Sequence, residues 1–215
     1  MTATTKTQAP FYTFCEEVWN AITHGLGAAA SIVGAVFLIA KAGTDVGRLV
    51  PVTIYAASMI VLFSMSSIYH SISHVGAKRI LRICDHSSVF FLIAGSYSPY
   101  TLIAIRGVTG FLLFSVVWIT AVIGTSLNIR SLERYKKAAM LCYIVSGWAI
   151  VFAVSPLINA MSAAGAMLVM IGGVFYTGGL VFYRLKNIRY MHTVWHFFVL
   201  AGAICHYFSI LSYVL

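Results

Sequence analysis

Residues 138–182 read AAMLCYIVSGWAIVFAVSPLINAMSAAGAMLVMIGGVFYTGGLVF, without a single charged side chain. As one helix this stretch would be nearly 70 Å long at about 1.5 Å per residue, against roughly 30 Å of bilayer hydrocarbon, so it must fold back on itself. Pro and Asn break helices, which places the turn at Ser155-Pro156-Leu157-Ile158-Asn159. Two antiparallel membrane-spanning helices then occupy about 138–155 and 160–183.

The rest of the chain follows the same logic. Its 215 residues are 60% hydrophobic and 9% charged, a composition that a soluble domain of this size could not present to water. Val18–Ala40 is a first uncharged run, too long for a signal-peptide core and preceded by acidic Glu16 and Glu17, so it is retained as a helix. Further runs fall at about 51–73, 83–105, 107–129 and 190–214. The expectation is an all-α integral membrane protein of seven transmembrane helices: a polar segment 1–16 with Phe11, Tyr12 and Phe14 at the membrane surface, then one domain over 17–215. Cys15, Cys84, Cys142 and Cys205 form no C-x-x-C pair, which leaves no disulfide framework or cysteine zinc ribbon to invoke.

The net charge of +9 resides in short loops between apolar runs, where it signals topology and not nucleic-acid binding. With the N-terminus and the second, fourth and sixth loops on one side, that side carries eleven Lys and Arg against three on the other. The positive side is cytoplasmic, so the N-terminus is expected inside and the C-terminus outside.

This topology places the polar residues of distant segments at one depth. His70 lies just before the inner basic residues Lys78, Arg79 and Arg82, Asp85 just after them, and His192 and His196 just after Arg189. All four fall roughly 5 to 12 Å from the inner rim at about 1.5 Å per residue. His192 and His196, four apart, share a helix face. Three neutral imidazoles suit zinc, and three protein ligands with one open position are the arrangement of a catalytic zinc. The spacing resembles the H-E-x-x-H of metalloproteases, but Thr193 stands where the general base would be.

Asp85, the one acid within an apolar run, is therefore assigned to the water on the metal and to proton transfer. Ser66, one turn before His70, is assigned to orienting a ligand or binding a substrate oxygen. Each residue has a plainer alternative: an interhelical hydrogen bond for a single histidine, snorkelling to the rim for Asp85, helix back-bonding for Ser66. Glu17, Asn20 and His24 form a polar stripe on the first helix that is either an entrance or second layer of the site, or an interfacial helix start. His74 and His86 are read as interfacial. His206, roughly 15 Å beyond His196, is read as an interhelical hydrogen-bonding group.

Glu17-x-x-Asn20-x-x-x-His24-Gly25, Ser66-Ser67-Ile68-Tyr69-His70, Asp85-His86-Ser87, Ala94-Gly95-Ser96-Tyr97-Ser98-Pro99-Tyr100 and His192-x-x-Trp195-His196 together resemble the bacterial hemolysin III proteins. These group with the progestin and adipoQ receptors (PAQR) and more distantly with alkaline ceramidases. The resemblance covers nearly the whole chain. It implies a seven-helix bundle in the bacterial inner membrane, zinc held by His70, His192 and His196, Asp85 at the zinc water with Ser66 beside it, and hydrolysis of lipid amides or esters with a role in membrane homeostasis. The long N-terminal region of the animal receptors is missing, so hormone binding is not carried over. Membrane lipids are the expected partners. The rival functions are a non-catalytic sensor or regulator with a structural zinc and, less favoured for want of an amphipathic channel stripe, a haemolytic pore.

Overall fold

The structure, a computed structural model, describes residues 12–185 and 187–215. Phe11 and most of the expected polar N-terminal segment lie outside them, as does Lys186. The described residues are helical, with no strand among them. Helix α1 spans Phe14–Ala42, α2 Val46–Ser71 and α3 Val75–Pro99, the last continuing into a π-helical segment Tyr100–Ile105. Helix α4 covers Gly107–Trp148, a 3₁₀ segment Ala149–Ala153 follows, α5 is Val154–Arg184 and α6 Met191–Tyr213.

Among the described residues, five helical stretches are long and apolar enough to cross a membrane by length and composition: Phe14–Ala42, Val46–Ser71, Val75–Ile105, Gly107–Arg184 and Met191–Tyr213. The longest is not one straight rod, because the backbone leaves helical geometry at Ser131 (φ −172°, ψ 110°) and at Ser162 (φ 73°, ψ 161°). The sequence places the second break at Pro156. Pro156 instead sits in the first turn of α5, where a missing N–H costs no hydrogen bond. The interruption comes six residues later, at a serine with positive φ.

Helix α1 begins at Phe14, four residues before the charge-free run, because Thr13 and Glu16 form a capping box. The Thr13 hydroxyl accepts from the Glu16 N–H, and the Glu16 carboxylate accepts from the Thr13 N–H at 2.8 Å. The other Glu16 oxygen accepts the Tyr190 N–H at 2.9 Å, tying the entry of α6 to that of α1. Helix α3 starts at Val75, so Lys78, Arg79 and Arg82 lie within its first turns and not in a loop.

Apolar side chains such as Leu26, Phe37, Val108, Phe111 and Phe152 are exposed, while Asn20, His24, Ser66, His70 and His196 are buried. That inversion is the arrangement of a chain whose exterior meets lipid. With the length and hydropathy of its helices, it makes this a multi-pass membrane protein. Helix α1 packs along α2, α2 along α3, and α5 along α6, with α6 returning against α1. Small residues permit these approaches: a Cβ on Gly27 would meet Phe63 and Leu200, and one on Gly34 the Tyr207 ring.

Candidate metal centre

The cytoplasm-facing assignment of His70, His192 and His196 rests on sequence; their convergence is geometric. One ligand nitrogen from each lies within 4.8 Å of the other two, and among the described residues this is the cluster able to hold a metal ion. His70 ends the buried face of α2. His192 and His196 occupy successive turns of α6, their rings 4.7 Å apart between centroids.

Partners outside the triad determine which nitrogen of two of the rings remains for a ligand bond. His70 Nδ1 donates to Glu17 Oε2 at 2.6 Å, leaving Nε2 for the centre. Lys78 Nζ donates to the other Glu17 oxygen at 2.8 Å and to the carbonyls of Tyr69 and Ile72, so the carboxylate is held from behind. His196 Nδ1 lies 3.0 Å from Thr23 Oγ1, which is also 2.9 Å from the Trp19 carbonyl and 3.0 Å from that of Asn20. A hydroxyl has one hydrogen; with it given to a carbonyl, Thr23 accepts from His196 Nδ1–H and Nε2 is left as a lone pair. A carboxylate or hydroxyl behind a ligand imidazole fixes its tautomer and orientation.

The donor set fits a metal on this structure's own terms. His70 Nε2 and His192 Nδ1 are buried and have no hydrogen-bond partner. Orphaned nitrogens of this kind are costly in a packed interior. A single cation between them satisfies both, and the imidazole set suits a borderline ion of the zinc type.

Ser66 and Asp85 come from α2 and α3. They line the adjoining cavity, with His24, His86 and the two α6 histidines. Ser66 is buried. Asp85 Oδ2 is 3.2 Å from His86 Nδ1, and His86 Nε2 is 3.4 Å from the Tyr183 hydroxyl. His86, read from sequence as interfacial, thus stands in the cavity wall. His74, by contrast, caps α3, its ring nitrogen accepting the Ala77 N–H at 3.2 Å.

The polar stripe of α1 faces inward as a whole. Asn20 accepts a hydrogen bond from Thr193 at 2.6 Å, which accounts for a threonine in the position where a metalloprotease has its glutamate. His24 stacks on His196 with centroids 3.5 Å apart and planes 7° from parallel, and neither of its nitrogens has a partner. Tyr12, expected at the membrane surface, covers the site, stacked on His192 at 4.8 Å and 5.9 Å from the His70 ring. Burial pushes its phenol pKa upward, so it lies over the histidines as a neutral ring. Thr23 was missed entirely: in sequence it is one more small polar residue of a membrane helix.

Comparison with known proteins gives a consistent neighbourhood. Residues 12–207 match the family model described as Haemolysin-III related. The chain is similar to Hemolysin-3 of Bacillus cereus, 39% identical over 203 residues that cover 93% of this chain and 92% of that one. It is similar to a Hemolysin-3 homolog of Bacillus subtilis (strain 168), at 40% identity over 204 residues, covering 94% and 96%. More distantly it resembles the Monocyte to macrophage differentiation factor of Homo sapiens, 27% identical over 204 residues, covering 92% and 84%.

Proposed function

This chain belongs to the haemolysin-III related family, within the progestin and adipoQ receptor group, and on that premise we propose that it is a zinc-dependent hydrolase of lipid amide or ester bonds. The observation that carries the reading is that the orphaned nitrogens of His70 and His192, grouped with His196, adjoin a cavity whose walls are otherwise largely apolar. Such a cavity suits an acyl chain more than a sugar or a peptide. With this reading we propose seven spans with the N-terminus inside, which would put the site near the inner leaflet. The breaks at Ser131 and Ser162 turn the Gly107–Arg184 stretch into three helical segments, and the basic residues bias that side to the cytoplasm of a bacterial cell membrane.

His70, His192 and His196 would hold the zinc. When bound, zinc supplies Lewis acidity toward a carbonyl and makes hydroxide available near neutral pH. Glu17 and Thr23 hold the ligand rings in their productive tautomers. Asp85, an acid in the cavity wall, takes the proton that the attacking water loses and returns it to the departing nitrogen or oxygen. Ser66 offers its hydroxyl to a substrate oxygen. Leu62, Val89, Leu92 and Val199 exclude bulk water from the reacting group.

A second reading, a non-catalytic sensor pinned by zinc, draws on one feature: the ligands and their supporting groups come from α1, α2 and α6, so the metal ties three helices together. Fatty-acid release from a labelled ceramide or phospholipid by the purified, zinc-loaded protein separates the two. The hydrolase reading expects release that Asp85→Asn abolishes with zinc retained. Intact lipid with fully loaded protein overturns it in favour of the sensor.

A further inference from the structure

The cavity that begins at the histidines also reaches a second polar group, Tyr100, Tyr176 and His206, further along α6. His206 lies ten residues along α6 from His196, about 15 Å at 1.5 Å per residue. Between these two groups the wall includes the apolar Leu92, Ile93 and Val199 next to the triad, with Ser96 and Thr177 closer to Tyr176.

The second group is constructed around two rings. Tyr176 stacks on His206, centroids 5.5 Å apart and planes 11° from parallel. A glycine clears the way for each: a Cβ on Gly172 would meet the His206 ring at 2.8 Å, and one on Gly202 the Tyr176 ring at 2.5 Å. The Tyr100 hydroxyl lies 3.2 Å from His206 Nδ1 and 3.3 Å from the His206 carbonyl, so those groups satisfy one another. Tyr176 Oη is different: it is buried and has no hydrogen-bond partner among the described residues. Packing alone would be served as well by phenylalanine, since an unmet hydroxyl in an apolar interior is a net loss.

We propose that Tyr176, backed by His206, is a second recognition point for the lipid, and that the preferred acyl chain carries a hydroxyl or keto oxygen deep along its length. This rests on the reading that the cavity takes an acyl chain with its carbonyl at the metal end. An extended chain with C–C bonds of about 1.5 Å advances about 1.25 Å per bond, so 15 Å corresponds to roughly a dozen carbons. An oxygen there meets the Tyr176 hydroxyl as donor or acceptor. A chain without one leaves that hydroxyl unmet.

The test is binding, which is independent of turnover: affinities of the zinc-loaded, full-length protein in nanodiscs for octadecanoic acid and for its 12-hydroxy derivative. The wild type is expected to prefer the 12-hydroxy acid by about tenfold, the worth of one buried hydrogen bond. Tyr176→Phe is expected to bring that ratio close to one. On the unaltered protein, the 12-hydroxy acid is also expected to outbind a 6-hydroxy isomer, whose oxygen falls in the apolar stretch next to the triad. Equal binding of the plain and 12-hydroxy acids by the wild type, or an undiminished preference in Tyr176→Phe, overturns this inference alone. Failure of all three acids to bind overturns it together with the acyl-chain reading beneath it.

Discussion

At the inner end of the cavity, His70 and His196 each have one ring nitrogen committed, to Glu17 and to Thr23, and the other turned away from that partner. At the outer end, the Tyr100 hydroxyl meets both the ring and the backbone carbonyl of His206. Both ends are buried imidazoles among membrane helices. The difference is company as well as support. A carboxylate held by Lys78, or a hydroxyl occupied by its own helix carbonyls, orients a ring so that its free nitrogen is available for a metal. A tyrosine hydroxyl holds His206 through Nδ1 in a similar way, but His206 is not in the group of potential metal ligands found among the described residues, and its ring stacks on Tyr176. Metal-binding capacity lies in the groups behind the imidazoles as much as in the imidazoles themselves.

The largest effect expected from breaking this contrast is at the ligands. His196→Ala removes one of three donors and is expected to empty the site and abolish lipid hydrolysis, whereas His206→Ala retains full metal content; elemental analysis of both purified variants checks this. Asp85→Asn comes next. It is expected to keep the metal and lose about 10²- to 10⁴-fold in turnover, the range of a lost general acid or base, measured as fatty-acid release. Glu17→Gln sharpens the claim about support, with metal affinity expected to fall about 10- to 100-fold in chelator competition and Glu17→Asp recovering part of it. The smallest effect is at the outer end. Gly202→Ala forces a methyl into the Tyr176 ring and is expected to cost about 1–3 kcal/mol of stability with metal affinity intact, read from thermal unfolding in detergent.

The sequence made the inner end more legible than the outer. Charge-free runs mark the long apolar helices, and counting residues from Arg189 and Lys78 is enough to expect His70, His192 and His196 together, as their geometry shows. Helix ends were harder to read. Thr13-x-x-Glu16 is a capping signal that begins α1 before its apolar run does, and Pro156 looked like a break because a proline is tolerated in a first turn that the sequence does not announce. Ser162, where the backbone does turn, carries no local signal. Nor does Thr23: only the closeness of α1 to α6 makes its hydroxyl the partner of His196. Glu17 and His24 were visible as a stripe, but whether a stripe faces water or the bundle interior depends on which helices neighbour it, a tertiary property. The Tyr176 and His206 stack depends on Gly172 and Gly202 facing each other, which spacing along one chain does not reveal.

The central claim is that His70, His192 and His196 share one metal ion. X-ray absorption spectroscopy on protein purified without added chelator tests it most directly. The account predicts one zinc per chain with three imidazole nitrogens at about 2.0–2.1 Å, and loss of that signal in His70→Ala. Absence of stoichiometric metal, or an unchanged imidazole shell in His70→Ala, would contradict it.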